Sequence, residues 1–333
     1  MERRHQTNAK MPTTIKKKSA TAKAAPKRHQ PHRAKNWTLR RIGSAGVLKA
    51  PALERHRWLV HGFSTRPGGA SELPVSGVGR RKSAKTLNLG FTDWDARTRV
   101  TANRTKFVNT LGAGKMSVVT LRQIHSDIVH RVDSLAASQE KAAQADALIT
   151  RERGVLLAVQ TADCVPILLA DTKNRTVAAI HSGWRGTLRR IAEKTLGRMQ
   201  MDYGTQAADV IAAIGPAIGG CCYEVGSEVA REFASQFPEA REWFDGPFDS
   251  LAAGDNDPNW LPWLTMRPPG HPPPPPRVQL DLIAANRAIL AKAGVPASQI
   301  FSSGFCTSCR TDLFFSYRRE GTTGRLMAAI GIR

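Results

Sequence analysis

Two histidines and a cysteine, His125, Cys164 and His181, are the residues whose types and settings best suit chemistry. Imidazole nitrogen and thiolate sulfur are donors that zinc prefers, and three protein donors rather than four leave a coordination position open for water or substrate. Each residue stands where an apolar run gives way to polar or glycine residues. The runs are Val118-Val119-Thr120-Leu121-Arg122-Gln123-Ile124-His125, Thr161-Ala162-Asp163-Cys164-Val165-Pro166 and Val177-Ala178-Ala179-Ile180-His181-Ser182-Gly183-Trp184-Arg185-Gly186. The separations of 39 and then 17 residues match no zinc-finger pattern, so the argument rests on position, at strand ends where side chains can converge. Taken singly, each imidazole is more ordinarily a satisfied structural group, and Cys164 a small buried hydrophobe. Without metal the same residues would form a nucleophilic pair, with His181 activating Cys164.

The elements that must position these groups are legible from periodicity. Trp58-Leu59-Val60-His61-Gly62-Phe63 reads as a first strand, so the folded part is placed from Pro51 onward. Val155 to Ile180 is a series of short Val-, Ile- and Leu-rich runs broken at Thr161–Asp163 and Asp171–Arg175, the rhythm of buried strands. After His181 the period changes: Leu188, Ile191, Ala192, Thr195, Leu196 and Met199 recur at helical spacing, which predicts a helix over 184–201. Asp209–Ile214 reads as a strand ending at Gly215-Pro216, and Leu280–Ala293 as a helix stopped by Gly294. The stretch 66–85, with Gly68-Gly69 and Gly77-Val78-Gly79, reads as a long loop. Residues 245–277, with a near-continuous proline run from Pro268 to Pro276, read as a surface insertion in extended polyproline conformation.

Charge is unevenly spread. The chain of 333 residues carries a net +22, and residues 1–42 hold 13 Lys and Arg against Glu2 alone. Residues 1–50 are therefore expected to be a basic disordered tail able to contact polyanions such as nucleic acid weakly, or simply a solvated extension. No apolar run approaches the roughly 18 residues of a membrane span, so no membrane partner is expected. Five cysteines are an odd number in a large chain and do not suggest a disulfide framework; a reducing cytoplasm fits them. Of these, Cys306-Thr307-Ser308-Cys309 supplies only half of a closed zinc site. Cys221 and Cys222, being adjacent, are expected on opposite sides of an extended strand. The four read as buried or idle thiols in preference to a second metal site.

Three strings, Thr161-Ala162-Asp163-Cys164-Val165-Pro166, His181-Ser182-Gly183-Trp184-Arg185-Gly186 and Gly215-Pro216-Ala217-Ile218-Gly219, resemble those of the laccase-domain family. Its members carry the older label polyphenol oxidase and are better described as purine nucleoside phosphorylases with adenosine deaminase activity. Further strings agree in order along the chain: Phe63-Ser64-Thr65-Arg66-Pro67-Gly68-Gly69, Leu87-Asn88-Leu89-Gly90, Asn103-Arg104, Cys306-Thr307, Leu313-Phe314-Phe315-Ser316-Tyr317-Arg318-Arg319 and Thr323-Gly324-Arg325. Ser126 and Ser182 stand where the family usually has Gly and Ala.

The resemblance implies an α/β (α+β-like) fold over residues 51–333, a layered single-domain sandwich with mixed β-sheets flanked by helices. It also implies one zinc held by His125, Cys164 and His181, with purine nucleosides and inorganic phosphate as substrates. Zinc brings the pKa of bound water towards 7, which suits attack on C6 of adenine. Asp163 is the candidate for proton transfer or for support of the metal, or else a carboxylate capping its turn. Arg66 and Arg185, with His61 nearby, are candidates to hold phosphate, because guanidinium groups bind oxyanions through two parallel hydrogen bonds. Asn88 is a candidate for ribose or base contact, or a turn residue; Trp184 can stack on a base or pack in the core. The older label also suggests a copper-dependent polyphenol oxidase. Multicopper chemistry draws on many histidines, however, and only His56, His61, His125, His130, His181 and His271 lie outside the basic tail.

Overall fold

The structure, a computed structural model, describes residues 37–74, 85–138, 141–249 and 277–333. The basic segment 1–36, the centre of the 66–85 loop and nearly all of the Pro-rich stretch lie outside the described residues.

Strands with long apolar runs build two stacked mixed sheets. The first has the order β1 (Thr38–Ile42), β2 (Ala45–Lys49), β3 (Leu59–Ser64), β16 (Leu326–Ile332), β8 (Val155–Thr161) and β5 (Ser117–Thr120). All its pairings are antiparallel except β5 with β8. The second has the order β15 (Ile300–Ser302), β11 (Val210–Ile214), β9 (Val165–Asp171), β10 (Thr176–Ser182), β7 (Ala147–Thr150) and β6 (Val129–Arg131). It is antiparallel inside and parallel at both edges. A small sheet of β12 (Glu224–Gly226), β14 (Arg277–Leu280) and β13 (Phe244–Asp245) stands beside them, and β4 (Pro67–Ser71) follows β3.

Alternation along each strand decides what it touches. On β8, Val155, Leu157 and Val159 share a core with Leu168, Ala170, Val177 and Ala179 of the second sheet, while Leu156 and Ala158 pack outward with Phe107 and Val108 of α2 (Arg97–Thr110). On β9, Ile167 and Leu169 turn to the opposite face, where α4 (Ile191–Tyr203), α5 (Ser227–Gln236) and α6 (Leu282–Lys292) cover them. The result is four layers, helix, sheet, sheet, helix, as the resemblance implies. Three shorter helices, α1 (Pro51–Glu54), α3 (Trp184–Leu188) and α7 (Tyr317–Glu320), lie at strand ends. Among the described residues no helix is long and apolar enough to cross a membrane.

Several expectations need correction. Among the described residues, regular structure is already present ahead of Pro51: Thr38–Lys49 is an antiparallel hairpin on the edge of the first sheet. Arg40 and Arg41 are exposed, Arg40 pairing with Glu54, while Val47 and Leu48 are buried and half-buried Lys49 donates to the His61 carbonyl. Basic composition hid this pattern, since an edge strand tolerates charge on its open side. The helix expected over 184–201 is two helices, because Arg190 adopts left-handed backbone (φ 59°, ψ 41°) between α3 and α4. Residues 67–71 of the expected loop are a strand. Both ends of the 245–277 stretch are paired in the small sheet, and α6 starts at Leu282 with Asp281 capping Ala284 N–H.

Candidate metal centre

The chain passes from the first sheet to the second twice, and both crossings meet at one place. Between β8 and β9 it crosses through Ala162-Asp163-Cys164, a turn tight enough to put Asp163 at φ 94°. Between β5 and β6 it crosses through the segment holding His125, itself at φ 57°. The end of β10 supplies His181, opposite Pro166 in the β9–β10 register. Ligand atoms of His125, Cys164 and His181 consequently fall within 4.8 Å of one another. Cys164 Sγ lies 3.9 Å from His125 Nε2, and the two imidazoles meet edge to face with centroids 4.9 Å apart. His181 is buried, Cys164 half-buried and His125 exposed, so the site opens on the His125 side. A Cβ at Gly183 would come within 3.0 Å of Cys164 Sγ and 3.2 Å of the His125 ring, which explains a glycine directly after His181-Ser182.

Asp146 organises this convergence, and sequence reasoning missed it. One of its carboxylate oxygens accepts from His181 Nδ1 at 2.8 Å, which leaves His181 Nε2 facing the site. Its two oxygens also accept backbone N–H groups of Ile124, His125 and Ser126, fixing the strained His125 loop. Carboxylate behind a ligating imidazole sets tautomer and ring orientation and raises ligand basicity. The hydroxyl of Ser126 donates to the same carboxylate at 2.7 Å. Ser182, the other departure from the family's small residues, joins Thr187 and Asn286 in a buried network tying β10 to α3 and α6. An acid at the start of an apolar strand carries no distinctive sequence signal, which is why Asp146 went unseen.

Charge is strongly redistributed here. Burial pushes the Cys164 thiol up, but the His181 and His125 imidazoles outweigh it and bring it down to about 6. Burial pushes His181 down, but Cys164 and Asp146 more than compensate and raise it to about 9. Burial also opposes ionisation of Asp146, yet hydrogen bonds from His181 and Ser126 hold it well below the usual carboxylate range. The donors therefore fit a metal ion: a thiol already inclined to ionise, two imidazoles with ligand atoms within 4.8 Å of it, and a carboxylate fixing one ring. Thiolate with imidazole is a donor set for zinc, and metal binding releases whatever protons the donors carry.

The other expected residues separate into two groups. Asp163 is at the site. Its carboxylate accepts from Thr307 Oγ1 and from Arg318 backbone N–H, both at 2.6 Å, while its carbonyl accepts from Ile218 N–H. Arg185 stacks over Trp184, and Arg318 over Tyr223. Burial raises the Tyr223 hydroxyl to about 12, with Cys164, Arg318, Asp163 and Arg185 all acting on it, so these groups form one electrostatic neighbourhood. Trp184 packs partly against the core of the second sheet.

Elsewhere, Arg66 pairs with Glu320 at 2.6 Å, donates to Thr311 carbonyl and lies over Phe315, so its charge is already met. Asn88 is buried and saturated: it donates to Gly90 carbonyl and Asp95 and accepts from Gly90 and Arg325 N–H. His61 is buried, accepts from Ala50 N–H, and is pushed down to about 3 by burial and then by Lys49. It lines a separate basic cavity of about 330 Å³ with Lys49, Arg57 and Arg333, which contains none of the three donors.

Comparison with known proteins places this geometry among relatives. Residues 60–333 match the family model described as multi-copper polyphenol oxidoreductase laccase. A purine nucleoside phosphorylase of Deinococcus radiodurans is 36% identical over 288 residues, covering 86% of this chain and 92% of that protein. An adenosine deaminase, RL5, of an unknown prokaryotic organism is 34% identical over 278 residues, covering 81% and 93%. The crystal structure of YlmD from Geobacillus stearothermophilus superposes with a TM-score of 0.68 at 32% identity, covering 89% of this chain and 98% of that one.

Proposed function

The chain belongs to the multi-copper polyphenol oxidoreductase laccase family, and on that footing we propose that it is a purine nucleoside phosphorylase that also deaminates adenosine. The observation that carries this reading is the open convergence of His125, Cys164 and His181, with Asp146 behind His181 and two arginines beside the site. Zinc is the cofactor proposed, held by those three side chains; when bound it supplies a Lewis acid and lowers the pKa of water at its open position.

The chain's own residues divide the remaining work. Asp146 holds His181 in the tautomer that presents Nε2 to the site, and through three backbone N–H groups it holds His125 in place. Asp163, gripped by Thr307 and Arg318, is placed to pass a proton to the ammonia leaving C6 when water replaces it and inosine forms. In phosphorolysis the bond from ribose C1′ to the base nitrogen breaks and a bond from C1′ to a phosphate oxygen forms. Arg185 and Arg318 are the guanidinium groups proposed to hold that phosphate; Arg318 donates through one nitrogen to the Glu224 carbonyl, and Arg66 is already paired with Glu320. Ile124 and Tyr317, the chain neighbours of His125 and Arg318, are exposed apolar side chains suited to a purine face.

A second reading has a specific observation behind it. With Cys164 brought down to about 6 and His181 raised to about 9, the pair resembles the activated thiolate of a metal-free hydrolase. The copper oxidase reading has less support: among the described residues the two metal-capable clusters contain only two imidazoles between them.

Incubating the purified protein with adenosine and phosphate separates these readings. Adenine with ribose 1-phosphate reports phosphorolysis, and inosine reports deamination. Undiminished turnover after complete chelation favours the metal-free hydrolase. Absence of both products after zinc or copper loading overturns the proposal.

A further inference from the structure

Four of the five cysteines, from two segments far apart in sequence, form a second convergence unused by the proposed chemistry. Gly219-Gly220-Cys221-Cys222 does not continue as a strand: Cys222 and Tyr223 N–H both bond back to Gly219 carbonyl, closing a turn. That turn puts the adjacent thiols on one side, which an extended strand cannot do. Across from it, Cys306-Thr307-Ser308-Cys309 is brought up by the Ala217–Cys306 bridge and by Thr307 N–H bonding to Ala217 carbonyl. All four sulfurs lie within 4.8 Å of one another. The closest pairs are Cys222–Cys309 at 3.4 Å, Cys221–Cys309 at 3.6 Å and Cys221–Cys222 at 3.8 Å.

From this geometry we propose that Cys221, Cys222, Cys306 and Cys309 bind a single zinc ion as a closed tetrathiolate site. A tetrahedral ion with metal–sulfur bonds of about 2.3 Å needs its sulfurs about 3.8 Å apart, close to the spacings present. All four are free thiols, and a disulfide between any two would need sulfurs at about 2.05 Å. An iron–sulfur cluster interposes several atoms between its thiolates and would hold them further apart than these contacts. Gly219 N–H points at Cys306 Sγ at 3.3 Å, a backbone donor of the kind that supports a metal-bound thiolate. Binding exchanges four thiol protons, released to solvent, for one divalent cation. Cys306 is buried while Cys221 and Cys309 are exposed, so the ion has a route in.

Four protein donors leave no open position, which makes this a clamp and not a second reactive centre. What it clamps is specific. Ile218, beside the first turn, donates to Asp163 carbonyl, and Thr307, inside the second, donates to Asp163 carboxylate. The tetrathiolate thus ties together the two segments that grip the residue next to Cys164.

Elemental analysis of the full chain purified with zinc present tests the assignment. The expected content is about two zinc ions per chain, falling to about one in Cys164→Ser and to about one in Cys222→Ser/Cys309→Ser. Cobalt substitution adds a signature independent of activity: intense sulfur-to-cobalt charge-transfer bands of a four-sulfur site persist in Cys164→Ser and vanish in the double variant. Should the double variant fail to fold, alkylation of the wild-type chain decides, with exposed Cys221 and Cys309 protected until zinc is stripped. Wild-type protein holding one zinc per chain with Cys221 and Cys309 freely alkylated overturns the proposal, as does copper or iron bound at these thiols in preference to zinc.

Discussion

The His125–Cys164–His181 centre and the four-cysteine cluster are built from similar donors and adjoin the same residue, Asp163, yet they suit opposite tasks. The first mixes two imidazoles with one thiol, has an exposed edge, and is braced by a single carboxylate that also holds the His125 loop through its backbone N–H groups. The second is all sulfur, is supported by backbone, and surrounds its centre. Three donors with an open side leave a position for a reacting molecule; four donors exclude one and can only hold chain segments together. Coordination number separates reactivity from support more clearly than ligand identity does.

Breaking the open centre has the largest expected effect. Cys164→Ser or His181→Ala should lower nucleoside turnover by about a thousandfold or more, since a Lewis-acid metal is worth several kcal/mol of barrier. Metal at the four cysteines should be retained, as cobalt spectra would report. Asp146→Asn keeps the shape but loses the carboxylate behind His181, and a 10- to 100-fold fall in metal affinity or activity is expected, measured by competition with a chelator. Next come the arginines. Arg318→Ala should raise the KM for phosphate by roughly tenfold, the loss of one charge-assisted hydrogen bond, and alter adenosine deamination much less. Equal loss of both activities would mean that the Arg318 side chain supports the site through Tyr223 and the Glu224 carbonyl and does not bind phosphate. Opening the four-cysteine clamp should affect stability before turnover: Cys222→Ser/Cys309→Ser should melt several degrees lower, with activity within a few-fold of the parent.

A residue outside both centres supplies the baseline. Because burial, and then Lys49, hold His61 neutral down to about 3, folding stability present above pH 6.5 is lost as pH falls from 6.5 towards 3. The loss from this group should be about 2 kcal/mol by pH 5, read from denaturant midpoints, and His61→Gln should flatten that slope.

Legibility in sequence followed the reach of each interaction. Strand positions could be read because apolar runs such as Val155–Val159 and Val165–Ala170 must be buried, and the donors could be proposed because they ended those runs. Arg66 looked available for substrate because nothing local satisfies it; its partners, Glu320 and Thr311, lie over 200 residues away. Asn88 has the turn contacts to Gly90 that its sequence setting allowed, and the distant Arg325 N–H completes its hydrogen bonding. Cys221 and Cys222 were placed on opposite sides by assuming an extended backbone, and a turn closed onto Gly219 reverses that.

Residue chemistry and local periodicity were thus enough to place buried strands, helices and three metal-capable side chains at strand ends, while the layered α/β architecture was implied by the family resemblance. Folding had to supply everything that depends on two segments meeting. The crossings between sheets bring His125, Cys164 and His181 within reach, Asp146 locks them, Asp163 and Arg318 are joined, and four cysteines from two turns become one cluster. Periodicity reports which face of an element is buried, because burial depends on the element's own pattern. It carries no information about which distant residue will arrive on the other side, because that is set by how the sheets stack.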